Sequence, residues 1–170
     1  MPDTTNGSTP PIERCLEQWH RFLLGTDPDE LDNLLDGDCV FTSPIVFTPQ
    51  EGKELTKRYL TAAGSTLAGK AADAPLATGD NPPAETSSGV SDDAWDGRFR
   101  YVREVREGNH AVLEFETTLS GKYVNGVDMI TCNDEGRIVD FKVMIRPLQA
   151  VNAVHEQMRA MLERMSSNGG

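Results

Sequence analysis

The sequence predicts an α+β domain. Apolar residues recur at helical spacing in three stretches between Ile12 and Leu60, whereas four runs between Phe99 and Ile145 have the composition and alternation of strands. Helices grouped first and antiparallel strands grouped after them is the α+β order. A last helical stripe follows Pro147.

The first helix covers Ile12 to Leu24, with Ile12, Cys15, Leu16, Trp19, Phe22 and Leu23 on one face and Gly25 closing it. Asp27-Pro28-Asp29-Glu30 opens a short second helix, with Asp27 as N-cap, Pro28 at the first position and acids in the first turn. Leu31, Leu34 and Leu35 form its inner face. Asp36-Gly37-Asp38 then turns the chain into CVFTSPIVF, which is β-branched and aromatic, hence extended, and broken at Pro44. Thr48-Pro49-Gln50-Glu51 has the form of a capping box ahead of GKELTKRYLTAA, a third helix with Leu55, Tyr59 and Leu60 inward and its end at Gly64.

FRYVREV, HAVLEFETTL, KYVNGVDMITC and RIVDFKVMI read as strands of one antiparallel sheet, joined by turns at EGN, SG and NDEG. Leu113, Phe115, Thr117 and Leu119 share one face, opposed by Glu114, Glu116 and Thr118. In the last strand Val139, Phe141, Val143 and Ile145 oppose Asp140, Lys142 and Arg146, so one face of the sheet is apolar throughout. Pro147 ends that strand and can take the first position of a final helix, whose stripe is Leu148, Val151, Val154, Met158, Met161, Leu162 and Met165. A methionine stripe at this spacing is core or a dimer seam rather than a cofactor site.

A chain of 170 residues suits one domain, here 12–165, between frayed tails at 1–11 and 166–170. MPDTTNGSTPP has neither the basic region nor the apolar core of a signal peptide or membrane anchor. From about 64 to 97 the chain is rich in Ala, Gly, Ser, Asp and Pro, and cannot bury enough apolar area to offset ordering entropy. A mobile surface insertion is predicted there, with Trp95 packing back on the domain or serving in a lid over a pocket. A net charge of −11 and a pI near 4.6 argue against nucleic-acid backbones and anionic membranes as partners. Cys15, Cys39 and Cys132 are odd in number, far apart and without CxxC spacing, so they read as small core residues of a cytoplasmic protein. His110 and His155 lack metal-ligand spacing, and there is no Gly-rich phosphate loop or nucleophile elbow, so neither a metal nor a nucleotide cofactor is expected.

With this order, DPDELDNLLDGDCVFTSP, the GKE start of the third helix and VDMITCNDEGRIVDFKVMIRP resemble the nuclear transport factor 2-like superfamily, in its SnoaL-like branch. The resemblance covers roughly Ile12 to Leu148 without the insertion. It implies a cone, a strongly curved antiparallel sheet around a pocket, closed by the N-terminal helices and here extended by a C-terminal one. It implies less about chemistry, because the superfamily holds isomerases, cyclases, epoxide hydrolases, dehydratases and non-catalytic binding modules. In ketosteroid isomerase, a helix Tyr and a protonated late-strand Asp donate to the developing oxyanion, while a second Asp before a Pro shuttles the proton. Asp128 falls on the late-strand Asp, Trp19 on the helix Tyr, and Ser43, before Pro44, on the base. Serine is not a base near neutral pH without an activating partner, and an indole is a poorer donor than a phenol, so that chemistry does not carry over. The acid pair and Arg of the epoxide hydrolases are missing as well, since Val143, Phe115 and Thr117 stand at the corresponding places.

The resemblance points Asp128 into the pocket with Ile130 and Cys132, and turns Val127 and Met129 outward. Desolvation there would raise the pKa of Asp128, which could donate to a ligand carbonyl when neutral or act as a base when ionised. The other role for it is a structural hydrogen bond with Tyr59, Tyr101 or Trp19. His20 would complete an acid–base couple with Asp128 if it faces the cone, and Tyr59 or Tyr101 would either pack in the core or supply the missing phenol. Leu23, Phe41 and Ser43 join Trp19 in the expected pocket, with Phe115, Thr117, Ile130, Phe141, Val143 and Ile145 from the sheet. Lys142, Arg146, Glu114 and Glu116 lie on the convex side, where related folds dimerise. Two functions stay open. One is binding of a small hydrophobic, carbonyl-containing molecule, and the other is a cofactor-independent isomerase, cyclase or hydrolase with Asp128 as general acid or base. A homodimer suits both.

Overall fold

The structure, a computed structural model, describes residues 9–25, 29–67 and 95–167. Helix α1 (Pro11–Leu23) buries Ile12, Cys15, Leu16 and Trp19, and the chain leaves it through Gly25 at φ +66°. A left-handed residue at that place favours glycine. Helix α2 (Glu30–Leu34) buries Leu31 and Leu34, and the predicted cap at Asp27 and Pro28 lies outside the described residues.

Strand β1 (Leu35–Thr42) follows α2 directly, so Asp36-Gly37-Asp38 is not the predicted turn. These residues form an irregular stretch of the strand, where the pairing with β6 shifts between Leu35 and Val40 and the Asp38 backbone N–H donates to Asp36 Oδ1 at 3.1 Å. Gln50–Glu51 form a short β2, antiparallel to β1, which removes them from the predicted capping box. Helix α3 (Lys53–Leu67) starts after Gly52 instead, and the Gly52 carbonyl accepts from the Thr56 N–H at 3.0 Å. Its inward residues include Thr56, Leu60 and Ala62, while Leu55 is exposed and Tyr59 only half-buried. Gly64 does not end it, because a helix tolerates an internal glycine at modest cost.

Strands β3 (Arg100–Glu107), β4 (His110–Leu119), β5 (Lys122–Cys132) and β6 (Ile138–Arg146) make the antiparallel part of one curved, unclosed sheet. The full order is β2-β1-β6-β5-β4-β3, and β1 runs parallel to β6, so the sheet is mixed rather than purely antiparallel. A bulge where Cys132 meets Ile138 buries Ile138 and leaves Val139 half-buried, contrary to simple alternation. Helix α4 (Leu148–Ser167) packs Ala150, Ala153 and Val154 onto the sheet, whereas Leu148 stays 72% exposed. Pro147 sits just before it, its carbonyl accepting from the Ala150 and Val151 N–H groups. The side chains of Met161, Leu162 and Met165 lie outside the described residues.

One core cluster lies between α1, α2 and the sheet, and a second under α4. All three cysteines are buried and free, and burial, with Cys132 alongside, pushes the Cys15 thiol up to about 12. Most of the predicted insertion lies outside the described residues. At its end, Trp95 meets Tyr123 edge-on at 6.0 Å, with the Arg100 guanidinium 5.1 Å from its ring. It packs back on the domain and takes no part in the pocket lining.

Candidate functional site

The alternation of β5 places Asp128 on the concave face, between Leu113 of β4 and Val143 of β6 in register, and leaves it 5% exposed. Ile130 and Cys132 share that face, while Met129 is 38% exposed on the other. In front of Asp128 lies a pocket of about 650 Å³, counting the part open to solvent at its mouth. Trp19 and Leu23 of α1, Phe41 of β1, and Phe141, Val143 and Ile145 of β6 line it, with Ser43 from the segment after β1. Trp19 and Phe141 pack with ring centroids 4.8 Å apart.

Five residues expected in the lining stand elsewhere. Phe115, Thr117 and Ile130 are fully buried in the sheet's core layer, Tyr59 packs on Phe41 at 5.6 Å, and Tyr101 sits behind Asp128. The lining also takes Pro44 and Ile45, Leu60, Ala63 and Gly64 of α3, Phe99, and Val154 and Met158 of α4. Leu60, Val154 and Met158 were visible on inward helical stripes, and Phe99 has the strand parity of Tyr101. Ala63, Gly64, Pro44 and Ile45 carry no local signal of this kind.

Among the described residues, Asp128 is the one ionisable side chain in this lining. Desolvation pushes its carboxyl up to about 7, partly opposed by the Tyr101 hydroxyl, which donates to Oδ2 at 2.6 Å. The Trp19 indole donates in turn to the Tyr101 oxygen at 2.7 Å. Burial, then the neighbouring Asp128 carboxylate, raises the Tyr101 phenol well above its ordinary range. Trp19 therefore offers the pocket an aromatic face but no free donor, since its N–H is already engaged.

His20 does not form the couple considered with Asp128. Its Nε2 lies 3.4 Å from Glu104 Oε1, its ring stands beside Tyr101, and it is absent from the lining. Ser43 Oγ accepts from the Ile45 and Val46 N–H groups at 3.1 and 3.4 Å, a turn-stabilising role. Among the described residues no group of His, Cys, Asp and Glu is placed to hold a metal ion, and no helix is long and apolar enough to cross a membrane.

No family model matches the sequence, and no curated protein matches it. Solved structures do. A steroid delta-isomerase from Pseudomonas aeruginosa aligns at 27% identity with a TM-score of 0.71, over 92% of this chain and 95% of its own. An uncharacterized bacterial protein with a cystatin-like fold, from Silicibacter pomeroyi, aligns at 24% identity and TM-score 0.64, over 86% and 83% of the two chains. A nuclear transport factor 2-like protein of unknown function from Mesorhizobium loti aligns at 17% identity and TM-score 0.55, over 83% and 98%. The fold is the nuclear transport factor 2-like one that ketosteroid isomerase-like proteins share, and the match at 27% identity to the steroid delta-isomerase supports that superfamily for the chain.

Proposed function

We propose that the protein binds a small, largely apolar molecule in the cone and holds it by one carbonyl oxygen, to which the neutral Asp128 carboxyl donates. The supporting observation is a single desolvated acid in an otherwise apolar, aromatic-rich lining. A neutral carbonyl matches a neutral acid, and the rest of such a ligand needs only apolar contact. Screening steroid, terpenoid and polyketide-like carbonyl compounds by thermal shift and native mass spectrometry tests this. For a hit, the affinity of wild type should be flat below pH 7 and fall roughly tenfold per pH unit above it, as Asp128 ionises. Asp128→Asn should bind without that pH dependence. A wild type that binds none of these compounds, or binds them equally at pH 6 and pH 9, would overturn the proposal.

A second function is favoured by the 27% identity to a steroid delta-isomerase. In it, Asp128 takes a proton from the carbon beside the carbonyl and returns it elsewhere on the same ligand, which a carboxyl near pH 7 can do in both directions. Nuclear magnetic resonance in deuterated water distinguishes the two functions. Enzyme-dependent deuterium uptake beside the carbonyl, lost in Asp128→Asn, supports proton transfer, and a bound ligand that exchanges no faster than in buffer supports binding alone.

We also propose a homodimer through the outer face of the sheet. Val105, Val112, Met129 and Met144 expose apolar side chains there on four adjacent strands.

A further inference from the structure

We propose that Trp19 and Tyr101 form a one-way donor chain that fixes the acidic proton of Asp128 on the carboxyl oxygen facing the cavity, which makes Tyr101 the positioning residue of this site. The inference rests on Asp128 being the ligand's donor and adds what aims that donor. An indole N–H can only donate, so the 2.7 Å contact from Trp19 Nε1 uses the Tyr101 oxygen as acceptor. The phenol has one proton, and it is directed to Asp128 Oδ2 at 2.6 Å. Oδ2 is thereby an acceptor, and a protonated Asp128 carries its hydrogen on Oδ1, while Tyr101 is the hydrogen-bond partner that the described residues show for this carboxyl. In the reverse arrangement Oδ2 would donate to the phenol, whose oxygen would then accept from both Trp19 and Asp128 while its own proton lost the Oδ2 acceptor.

The consequence is chemical selectivity. While Asp128 is neutral, its outward oxygen presents a donor, so it pairs with a carbonyl and not with a group that has only hydrogens to give, such as an ammonium. Among the described residues, Tyr101 is the group shown hydrogen-bonded to this acid. Asp128 faces Leu113 on β4, Val143 on β6 and Trp19 on α1, while α3 and α4 bring apolar side chains to the lining. Glu104 and His20, 3.4 Å apart, stand on the far side of Tyr101.

Infrared spectroscopy of the unliganded protein across pH 5 to 9 tests the chain, with Asp128→Asn as the blank that identifies the Asp128 carbonyl stretch. Wild type should show the band of a protonated acid whose carbonyl oxygen accepts a hydrogen bond, and lose it as pH rises. Tyr101→Phe removes that bond, so the band should move to higher wavenumber and disappear at higher pH. Trp19→Phe frees the Tyr101 oxygen to accept, so the single band should become two. If Tyr101→Phe folds poorly, Trp19→Phe carries the test. An unmoved band in Tyr101→Phe, a single unmoved band in Trp19→Phe, or an Asp128 that is already ionised at pH 5 in wild type would each overturn the chain. No ligand enters this measurement, so its failure and a failure of ligand binding are told apart.

Discussion

Asp128 concentrates the cost of the site in one residue. Burial raises its carboxyl from an ordinary 3.8 to about 7, a change on the order of 4 kcal/mol between protonation states. A folded-state pKa above the unfolded one means that stability is highest below the unfolded value and is lost as pH rises toward the folded one. Relative to Asp128→Asn, which cannot ionise, wild type should therefore weaken from about pH 4 to about pH 7 and then level off. Urea denaturation of both proteins at pH 4.5, 6 and 8 checks this, and the Asn variant should gain several kcal/mol of relative stability over that range. A constant difference between the two would mean that the acid is not desolvated. The carboxyl's placement was legible from strand alternation and the resemblance, and Tyr101 stood with Tyr59 and Trp19 among its candidate partners without being singled out. Tyr101 lies 27 positions earlier on another strand, and only the register of β3, β4 and β5 brings it to Asp128.

The strands β3 to β6 could be read to within two residues, β4 and the second half of β5 from alternating burial and β3 and β6 from β-branched and aromatic composition between turn residues. β1 and the start of α3 could not. Asp36-Gly37-Asp38 has the composition of a turn, yet the flanking β6 pairs of Leu35 and Val40 keep it within the strand, and the two-residue β2 converts a capping motif into an edge. The pairing of β4 with β5 explains why β5 carries a glycine in its interior. A Cβ on Gly126 would stand 2.2 Å from Cζ of Phe115, the side chain opposite it on β4, and 2.9 Å from the Met144 carbonyl oxygen. Phe115 is 1% exposed and has little room to yield. Gly126→Ala should cost about 1–3 kcal/mol, read as a lowered melting temperature. Adding Phe115→Leu should recover part of that loss, and strict additivity in the double-mutant cycle would place the strain somewhere other than this pair.

At the scale of the whole molecule, the two faces of the sheet divide the work. Helices α1, α3 and α4 pack on the sheet beside the pocket, whereas Val105, Val112, Met129 and Met144 stand exposed on the convex face. On that face Val105, Val112 and Met129 are consecutive partners across β3, β4 and β5, and Met144 lies opposite Val127 in the adjacent row. Arg103–Glu114 and Arg100–Glu116 ion pairs flank this apolar band. Both signs of charge at the edge allow two copies to meet without forcing like charges together, although each chain carries −11 overall. A two-fold contact uses every residue twice, so one substitution acts at two places in the interface. Met129→Asp together with Met144→Asp should convert a wild-type dimer into a monomer in sedimentation velocity. The variant's melting temperature in the limit of low protein concentration should be unchanged, since both side chains are already exposed at 38% and 55%. Raising the salt concentration should tighten the wild-type dimer, because screening relieves repulsion between two acidic chains more than it weakens the few flanking ion pairs. A wild type that sediments as a monomer at all salt concentrations would remove the convex face from the account and leave the pocket as the functional surface.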